Sequence, residues 1–263
     1  MAISEGIELL GKGLYKDIPD TLTLQSLPTV SELDYIGSED FDETMLSDIL
    51  PKAIKEDVNF RSLLEIDYQW ICRGLRFINY GPYYTTNLVF CPECGQLDEM
   101  QVDMRRVECV PLPDGFTNDI VLSRDEFIDF DGDVHLKLPT IQEVLNARND
   151  NAFVRVDGKA DTAYARLCYS IKSIKNNTNM TPMDVRTYIQ KNFSAADYQI
   201  LRQRFHEVTN YGLRGAGAIT CPKCKKTDAT FIALPDERFF RPVVDDLRRW
   251  KADRAERKTD KPA

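Results

Sequence analysis

The sequence has little histidine, no long apolar run and no excess of basic charge. Its two histidines can contribute little to a metal site in a chain of 263 residues. No stretch approaches the roughly 20 apolar residues that a membrane-spanning helix needs, so we expect no membrane segment. The net charge of -8 makes the whole chain a poor binder of polyanions, because phosphate backbones are bound through clustered positive charge.

The first residues also lack the basic segment and apolar run of a signal peptide, so we expect synthesis in a reducing cytosol. Under reducing conditions, paired cysteines are more often metal ligands or redox groups than disulfides. The seven cysteines are odd in number, so at least one has no disulfide partner within the chain. Hydrophobic residues make up 43% and charged residues 29%, which excludes wholesale disorder.

Apolar periodicity predicts an α+β protein. Apolar residues recur at three- and four-residue steps from Phe60 to Ile78, which predicts a helix that Asn59 caps and Gly81 stops. Alternation over Thr21–Gln25 predicts a strand. Four further helices are predicted: over residues 140–146, over 161–174, from Thr181-Pro182 onward, and over 194–210. A mixed-charge surface helix is predicted over 243–258.

A β-hairpin insert is predicted at residues 125–138. Asp131-Gly132 lies between Phe127–Phe130 and Val134–Leu138, and Asp-Gly between two alternating segments is typical of a tight hairpin turn. For the whole chain we predict an N-terminal β-containing arm over 1–42, one α+β domain over 43–242, and a charged C-terminal helix and tail over 243–263.

The most informative feature is a pair of matching cysteine motifs. Cys91-Pro92-Glu93-Cys94 and Cys221-Pro222-Lys223-Cys224 each follow a predicted helix, a Tyr-Gly step and a predicted strand, and each precedes another strand. This order predicts a weak internal repeat with two knuckles, at residues 86–104 and 216–233.

The spacing of the motifs predicts one structural zinc. Two cysteines separated by two residues can direct both thiolates toward one point, and two such turns supply the tetrahedral sulfur set that zinc prefers. The candidate ligands are Cys91, Cys94, Cys221 and Cys224. Four thiolates leave no open position for catalysis, so the site would be a split zinc ribbon that ties together two distant parts of the chain.

Other uses of these cysteines remain open. A thiol-disulfide enzyme would place the first cysteine of a pair at a helix N-terminus, whereas a strand is predicted after each pair. Separate metals would need further ligands, and neither His135 nor His206 stands at ligand spacing from a pair. The remaining cysteines are predicted to be ordinary core residues, namely Cys72, Cys109 and Cys168.

An ordered series of motifs resembles the baseplate protein family of T-even-type contractile-tailed phages, which includes hub assembly proteins. The series runs from Leu9–Tyr15 and Thr21–Leu24 through Arg76, Tyr80-Gly81 and Cys91–Gly95 to Tyr211-Gly212, Cys221–Cys224 and Phe239–Pro242. Lys225 departs from the pattern, because glycine follows the first cysteine pair but not the second.

The resemblance implies a non-enzymatic structural component of the phage baseplate, in the hub or inner baseplate. Its partners would be other baseplate or tail proteins, and it would lie in the virion tail in multiple symmetric copies after synthesis in the host cytoplasm. A transient chaperone for the hub or the tape-measure protein is an alternative. An alternative of another class is a zinc-ribbon nucleic-acid binder, but the acidic first knuckle with Glu93, Asp98 and Glu99 argues against it.

Overall fold

The computed structural model describes residues 4–27, 40–155, 158–214, 216–231, 240 and 242–259. The helices are α1 (Phe41–Thr44), α2 (Leu50–Ala53), α3 (Glu65–Tyr80), α4 (Ile141–Asn149), α5 (Thr162–Ser170), α6 (Pro182–Asn192), α7 (Ala195–Val208) and α8 (Val244–Thr259). A π-helical segment, Met45–Ile49, joins α1 to α2. Among these helices, none is both long and apolar enough to cross a membrane.

The strands form small antiparallel sheets. They are β1 (Ser4–Glu8), β2 (Thr21–Gln25), β3 (Tyr83–Phe90), β4 (Leu97–Asp103), β5 (Cys109–Val110), β6 (Ile120–Leu122), β7 (Val134–Leu136), β8 (Ile171–Ile174), β9 (Gly212–Leu213), β10 (Ala216–Thr220) and β11 (Thr227–Phe231). The pairs are β1–β2, β3–β4, β5–β9 and β10–β11, and β6–β7–β8 form a three-stranded sheet. The predicted mixture of helix and strand is confirmed.

Helix α3 lies between two hydrophobic cores. Ile71 and Leu75, both fully buried, pack in the core that also contains β2, α2 and parts of β3 and β4. Leu64 and Ile66, at the start of the same helix, pack in the second core with β7, β8 and helices α5 to α7. One amphipathic helix therefore joins the two halves of the structure.

Helix ends agree with the predicted signals at most positions. Gly81 ends α3 with a φ of 79°, a conformation that glycine adopts without the steric cost that a Cβ brings. Thr140 and Thr181 form capping boxes at α4 and α6, and Ser194 caps α7. Asn59 caps only a short 3₁₀ turn, because the chain is extended at Leu64 before α3 begins.

The predicted hairpin at 125–138 is wrong in its first strand. β7 pairs with Ile120–Leu122, and Phe127–Phe130 is not a strand. Phe127 and Phe130 both lie in the second core, and both pack on Phe193. Two residues three apart cannot share one face of a strand, because side chains alternate between its faces. Burial of both rings therefore overrides the Asp-Gly turn signal.

The helix predicted over 161–174 ends early, at Ser170. Ile171–Ile174 instead forms β8 and pairs with β7, where Val134 lies opposite Ile174. The apolar residues in this segment fit helical spacing, but Ile171 and Ile174 are β-branched and fit a pleated sheet as well. Because β7 pairs with this segment, it forms a strand and not the last turn of the helix.

Several predicted segments lie outside the described residues in part. These are the end of the second knuckle at 232–233, Phe239 and Arg241 of the closing motif, positions 1–3 and 28–39 of the N-terminal arm, and the tail at 260–263. The domain boundaries at 42 and 242 stay predictions.

Helix α8 is a surface helix with one buried acidic residue. Asp246 is 1% exposed, and its carboxylate lies 3.5 Å from the guanidinium of the fully buried Arg76 on α3. Asp246 also accepts hydrogen bonds from Thr85 and from the side chain of Gln101, on β3 and β4. One carboxylate therefore links α8, α3 and the first cysteine hairpin.

We expect Asp246→Ala to lower the free energy of unfolding by about 3–5 kcal/mol, because the substitution leaves the Arg76 guanidinium buried without this anion. Asp245→Ala is the matched control, since Asp245 is 81% exposed and pairs with the exposed Arg248. Chemical denaturation of the two variants measures the difference. Equal stabilities would show that α8 does not depend on this ion pair.

Candidate metal centre

The four predicted ligands meet at one point. The Sγ atoms of Cys91, Cys94, Cys221 and Cys224 all lie within 4.8 Å of one another, although 126 residues separate the two pairs in sequence. Of all described residues, these four are the only group of three or more histidine, cysteine or acidic side chains placed to share a metal ion. The sequence pattern therefore correctly predicted which cysteines come together.

Each pair occupies the turn of an antiparallel hairpin. β3 and β4 flank the first pair, and Phe90 lies opposite Leu97 next to the turn. β10 and β11 flank the second pair, and Thr220 lies opposite Thr227 in the same relation. Strands β10 and β4 are neighbours, which brings the two turns face to face.

The two turns have the same backbone hydrogen bonds. The N–H of Cys91 donates to the carbonyl of Gln96 at 2.7 Å, and the N–H of Gly95 donates to the carbonyl of Cys91 at 2.9 Å. In the second turn Cys221 donates to Lys226 at 2.9 Å and Lys225 donates to Cys221 at 3.0 Å. This correspondence confirms the predicted repeat at its most informative part.

The fifth position of each turn has a left-handed backbone. Gly95 has a φ of 70°, and Lys225 has a φ of 61° at the equivalent position. Lysine thus adopts the conformation that glycine adopts more easily. The departure from the family pattern at Lys225 therefore leaves the turn geometry unchanged.

Two Sγ–Sγ distances in the cluster match the edge length of a tetrahedral zinc site. The Sγ–Sγ distances are 3.8 Å for Cys91 and Cys224, and 3.7 Å for Cys94 and Cys221. A tetrahedron of sulfurs with zinc–sulfur bonds of about 2.3 Å has edges of about 3.8 Å. A disulfide would need sulfurs about 2.05 Å apart. The four thiols are thus spaced as ligands and not as bonded pairs.

The cluster lies at the margin of the first core. Cys91 and Cys221 are 6% and 2% exposed, whereas Cys94 and Cys224 are more accessible to solvent. Both buried cysteines belong to the core that contains α3. A bound ion would therefore connect to the main packing of the fold through the first cysteine of each pair.

Hydrogen bonds within the cluster shift the pKa values of Cys221 and Cys224 in opposite directions. The backbone N–H groups of Cys224 and Lys223, with the neighbouring thiols, lower the pKa of Cys221 to about 7. The N–H of Lys226 acts in the same direction on Cys224, but desolvation and hydrogen bonds with the other thiols raise its pKa to about 11. The Cys221 thiol therefore ionises near neutral pH, and the thiolate is the form that binds a metal.

A charge pair joins the two turns. The ammonium of Lys226 pairs with the carboxylate of Glu93, across the cluster from one hairpin to the other. The sequence interpretation missed this contact. Its signal was the opposite charge of the two turns, acidic at Glu93 and Asp98 and basic at Lys223, Lys225 and Lys226.

The other cysteines and both histidines lie elsewhere. Cys72 and Cys168 are buried, and Cys109 is half-buried in β5, as predicted for core residues. Burial raises the pKa of all three, to about 12 for Cys168. His135 lies on β7 with its Nδ1 3.0 Å from Asp119, and His206 is exposed on α7.

Strands, not helices, follow both cysteine pairs. β4 begins three residues after Cys94, and β11 begins three residues after Cys224. Thiol-disulfide enzymes use a helix N-terminus to lower the pKa of the attacking cysteine. This arrangement is missing from both pairs in the described structure, which favours metal binding over redox chemistry.

Comparison with known protein families gave a match over most of the chain. A family model described as "T4 bacteriophage base plate protein" matches residues 24–240, a range that contains both cysteine pairs. Searches of curated proteins and of solved structures gave no significant match.

Replacing any one of the four clustered cysteines by serine should abolish the binding of one zinc equivalent and lower the melting temperature, because three thiolates cannot complete the site. Cys109→Ser is the matched control and should keep the zinc, since Cys109 is also partly accessible but lies outside the cluster. Elemental analysis and thermal melting measure both effects. Full zinc content in Cys221→Ser would contradict the shared site.

Gly95→Ala should lower the free energy of unfolding by roughly 1 kcal/mol, since Ala is strained at positive φ. No described atom lies within 4 Å of an added Cβ, so the effect measures the backbone alone. Lys225→Gly should raise the free energy of unfolding by up to about 1 kcal/mol for the same reason. Denaturant titration of both variants tests the equivalence of the turns, and a loss of stability in Lys225→Gly would contradict it.

Proposed function

Because the chain belongs to the T4 bacteriophage base plate protein family, we propose that it is a non-enzymatic structural component of a contractile-tailed phage baseplate, in the hub or inner baseplate. The family match covers most of the chain and carries this proposal. The chain acts by binding other baseplate or tail proteins, and it is incorporated in several symmetric copies.

We also propose that Cys91, Cys94, Cys221 and Cys224 hold one structural zinc ion. The support is the clustering of the four Sγ atoms within 4.8 Å of one another, with two Sγ–Sγ distances of 3.8 and 3.7 Å that match the edge of a zinc tetrahedron. Zinc binding requires thiolates and adds its binding free energy to the stability of the fold. The metal would fasten the hairpin after α3 to the hairpin after α7, so that the segment between them is held at both ends.

The geometry favours structure over catalysis. Four sulfur ligands occupy every position of a tetrahedral ion, which leaves none for a substrate or a reactive water. Cys91 and Cys221 are nearly inaccessible to solvent. The centre therefore supports a role in rigidity and not in chemistry.

The charge distribution near the cluster favours protein partners over nucleic acid. The second turn carries Lys223, Lys225 and Lys226, but Lys226 pairs with Glu93 of the first turn. A phosphate-binding surface needs several cations that are free to neutralise phosphates. The acidic first turn therefore neutralises part of the positive charge that a nucleic acid would contact.

Mass spectrometry of purified, complete virions tests the structural role. We expect the chain in virions at a constant ratio to other tail proteins. Its absence from complete virions, combined with its presence in baseplate precursors, would overturn the structural role and favour the transient assembly chaperone.

A phage that carries Cys221→Ser tests the link between the cysteine cluster and assembly. We expect a loss of complete baseplates in electron micrographs of infected-cell lysates, because the unfastened hairpins destabilise the protein. A phage that carries Cys109→Ser is the control and should assemble normally. Normal assembly in both phages would show that baseplate assembly does not depend on the cysteine cluster.

A further inference from the structure

A groove runs beside the N-terminal strand and shares no residue with the cysteine cluster. It encloses about 450 Å³ between β1 and helix α3. Trp70, Arg73 and Phe77 of α3 line it, together with Pro111 and Leu112. The other charged residues of its lining are Glu5, Glu8, Lys12 and Asp114, and the Lys12 ammonium pairs with Glu8 at 3.0 Å. Binding in this groove would therefore not depend on zinc.

One wall of the groove is a strand edge with free backbone groups. In β2, the N–H of Thr23 donates to the Glu56 carboxylate at 2.8 Å, and the Thr23 carbonyl accepts the N–H of Lys55 at 3.1 Å. Both groups of Thr23 therefore point away from β1. Gly6 lies opposite Thr23, so antiparallel geometry turns the N–H and C=O of Gly6 away from β2 as well. Within the described residues, neither group has a partner.

The Glu8 carbonyl confirms this direction. Glu8 stands two residues after Gly6 and has the same orientation, and its carbonyl accepts the indole N–H of Trp70 at 3.1 Å. The outward groups of β1 thus point along the groove toward α3. An exposed strand edge of this kind readily accepts a further strand.

The groove also contains a cation without a contacting anion. The Arg73 guanidinium is half-buried, with its carbon 4.7 Å from the Trp70 ring centroid and 4.4 Å from that of Phe77. It donates hydrogen bonds to the Met104 carbonyl, at 3.4 Å. In the part of the chain that the structure describes, Arg73 forms no ion pair, and Asp103 acts on it only through its charge and not by contact. Two aromatic rings thus hold the guanidinium in place for an incoming acidic group.

We propose that this groove binds an extended segment of another protein, which adds a strand to β1 and places an acidic side chain on Arg73. The backbone groups of Gly6 would pair with the added strand, and the guanidinium would select aspartate or glutamate. A second copy of this chain is the competing occupant for the test, because its β1 is also extended and carries Glu5 and Glu8.

Selection from a random twelve-residue peptide library against the purified full-length protein tests the proposal. We expect enriched peptides with alternating β-prone residues and an acidic residue at a common position. Hydrogen exchange on the wild-type protein should show that the selected peptide protects the Gly6 amide.

A matched pair of substitutions at Gly6 tests the backbone contact. Gly6→Pro removes the outward N–H, which an edge strand tolerates, and should weaken the selected peptide about tenfold or more. Gly6→Ala keeps the N–H, and its Cβ meets Thr21 at an ordinary 3.6 Å, so binding should persist. Circular dichroism verifies the fold of each variant. Arg73→Gln should abolish the preference for acidic residues in a repeated selection and does not depend on the Gly6 variants.

Three results would overturn the proposal. The first is no enrichment above a selection without protein. The second is selected peptides that bind Gly6→Pro and Arg73→Gln as tightly as the wild type and leave the Gly6 amide unprotected. The third is self-association of the wild type that Gly6→Pro abolishes, which would assign the edge to a second copy.

Discussion

The convergence of four cysteine sulfurs is the constraint on which the rest of the structure depends. Cys91 and Cys221 belong to one core, yet 129 residues lie between them in the chain. Joining two points so far apart costs about 4–5 kcal/mol in chain entropy, and a bound metal offsets a cost of this size. With the proposed zinc bound, the chain from β4 to β10 forms a closed loop that contains most of the second hydrophobic core.

Two buried or bridging ion pairs also stabilise the region around the cysteine hairpins. Asp246 of α8 reaches the buried Arg76 of α3 and the backbone of β3, and Lys226 reaches Glu93 across the two turns. Helix α3 takes part in both cores. The hairpins, α3 and α8 thus support one another, and this mutual support agrees with the structural role that we propose.

The sequence predicted the local features that local chemistry determines. Cysteine spacing identified the four clustered thiols, Gly81 identified the end of α3, and Thr140 and Thr181 identified the starts of two helices. Features that depend on distant partners were not readable. Phe127 and Phe130 left the predicted hairpin because Phe193 packs on both, and the Asp246–Arg76 pair joins positions 170 residues apart. The free edge of β1 became visible only when the register with β2 was known.

X-ray absorption at the zinc edge on the purified full-length protein tests the central claim most directly. We predict one zinc per chain with four sulfur neighbours at about 2.3 Å and no nitrogen or oxygen neighbour. A zinc-free protein that is nevertheless fully folded, or a shell that mixes sulfur with nitrogen or oxygen, would contradict the shared four-cysteine site.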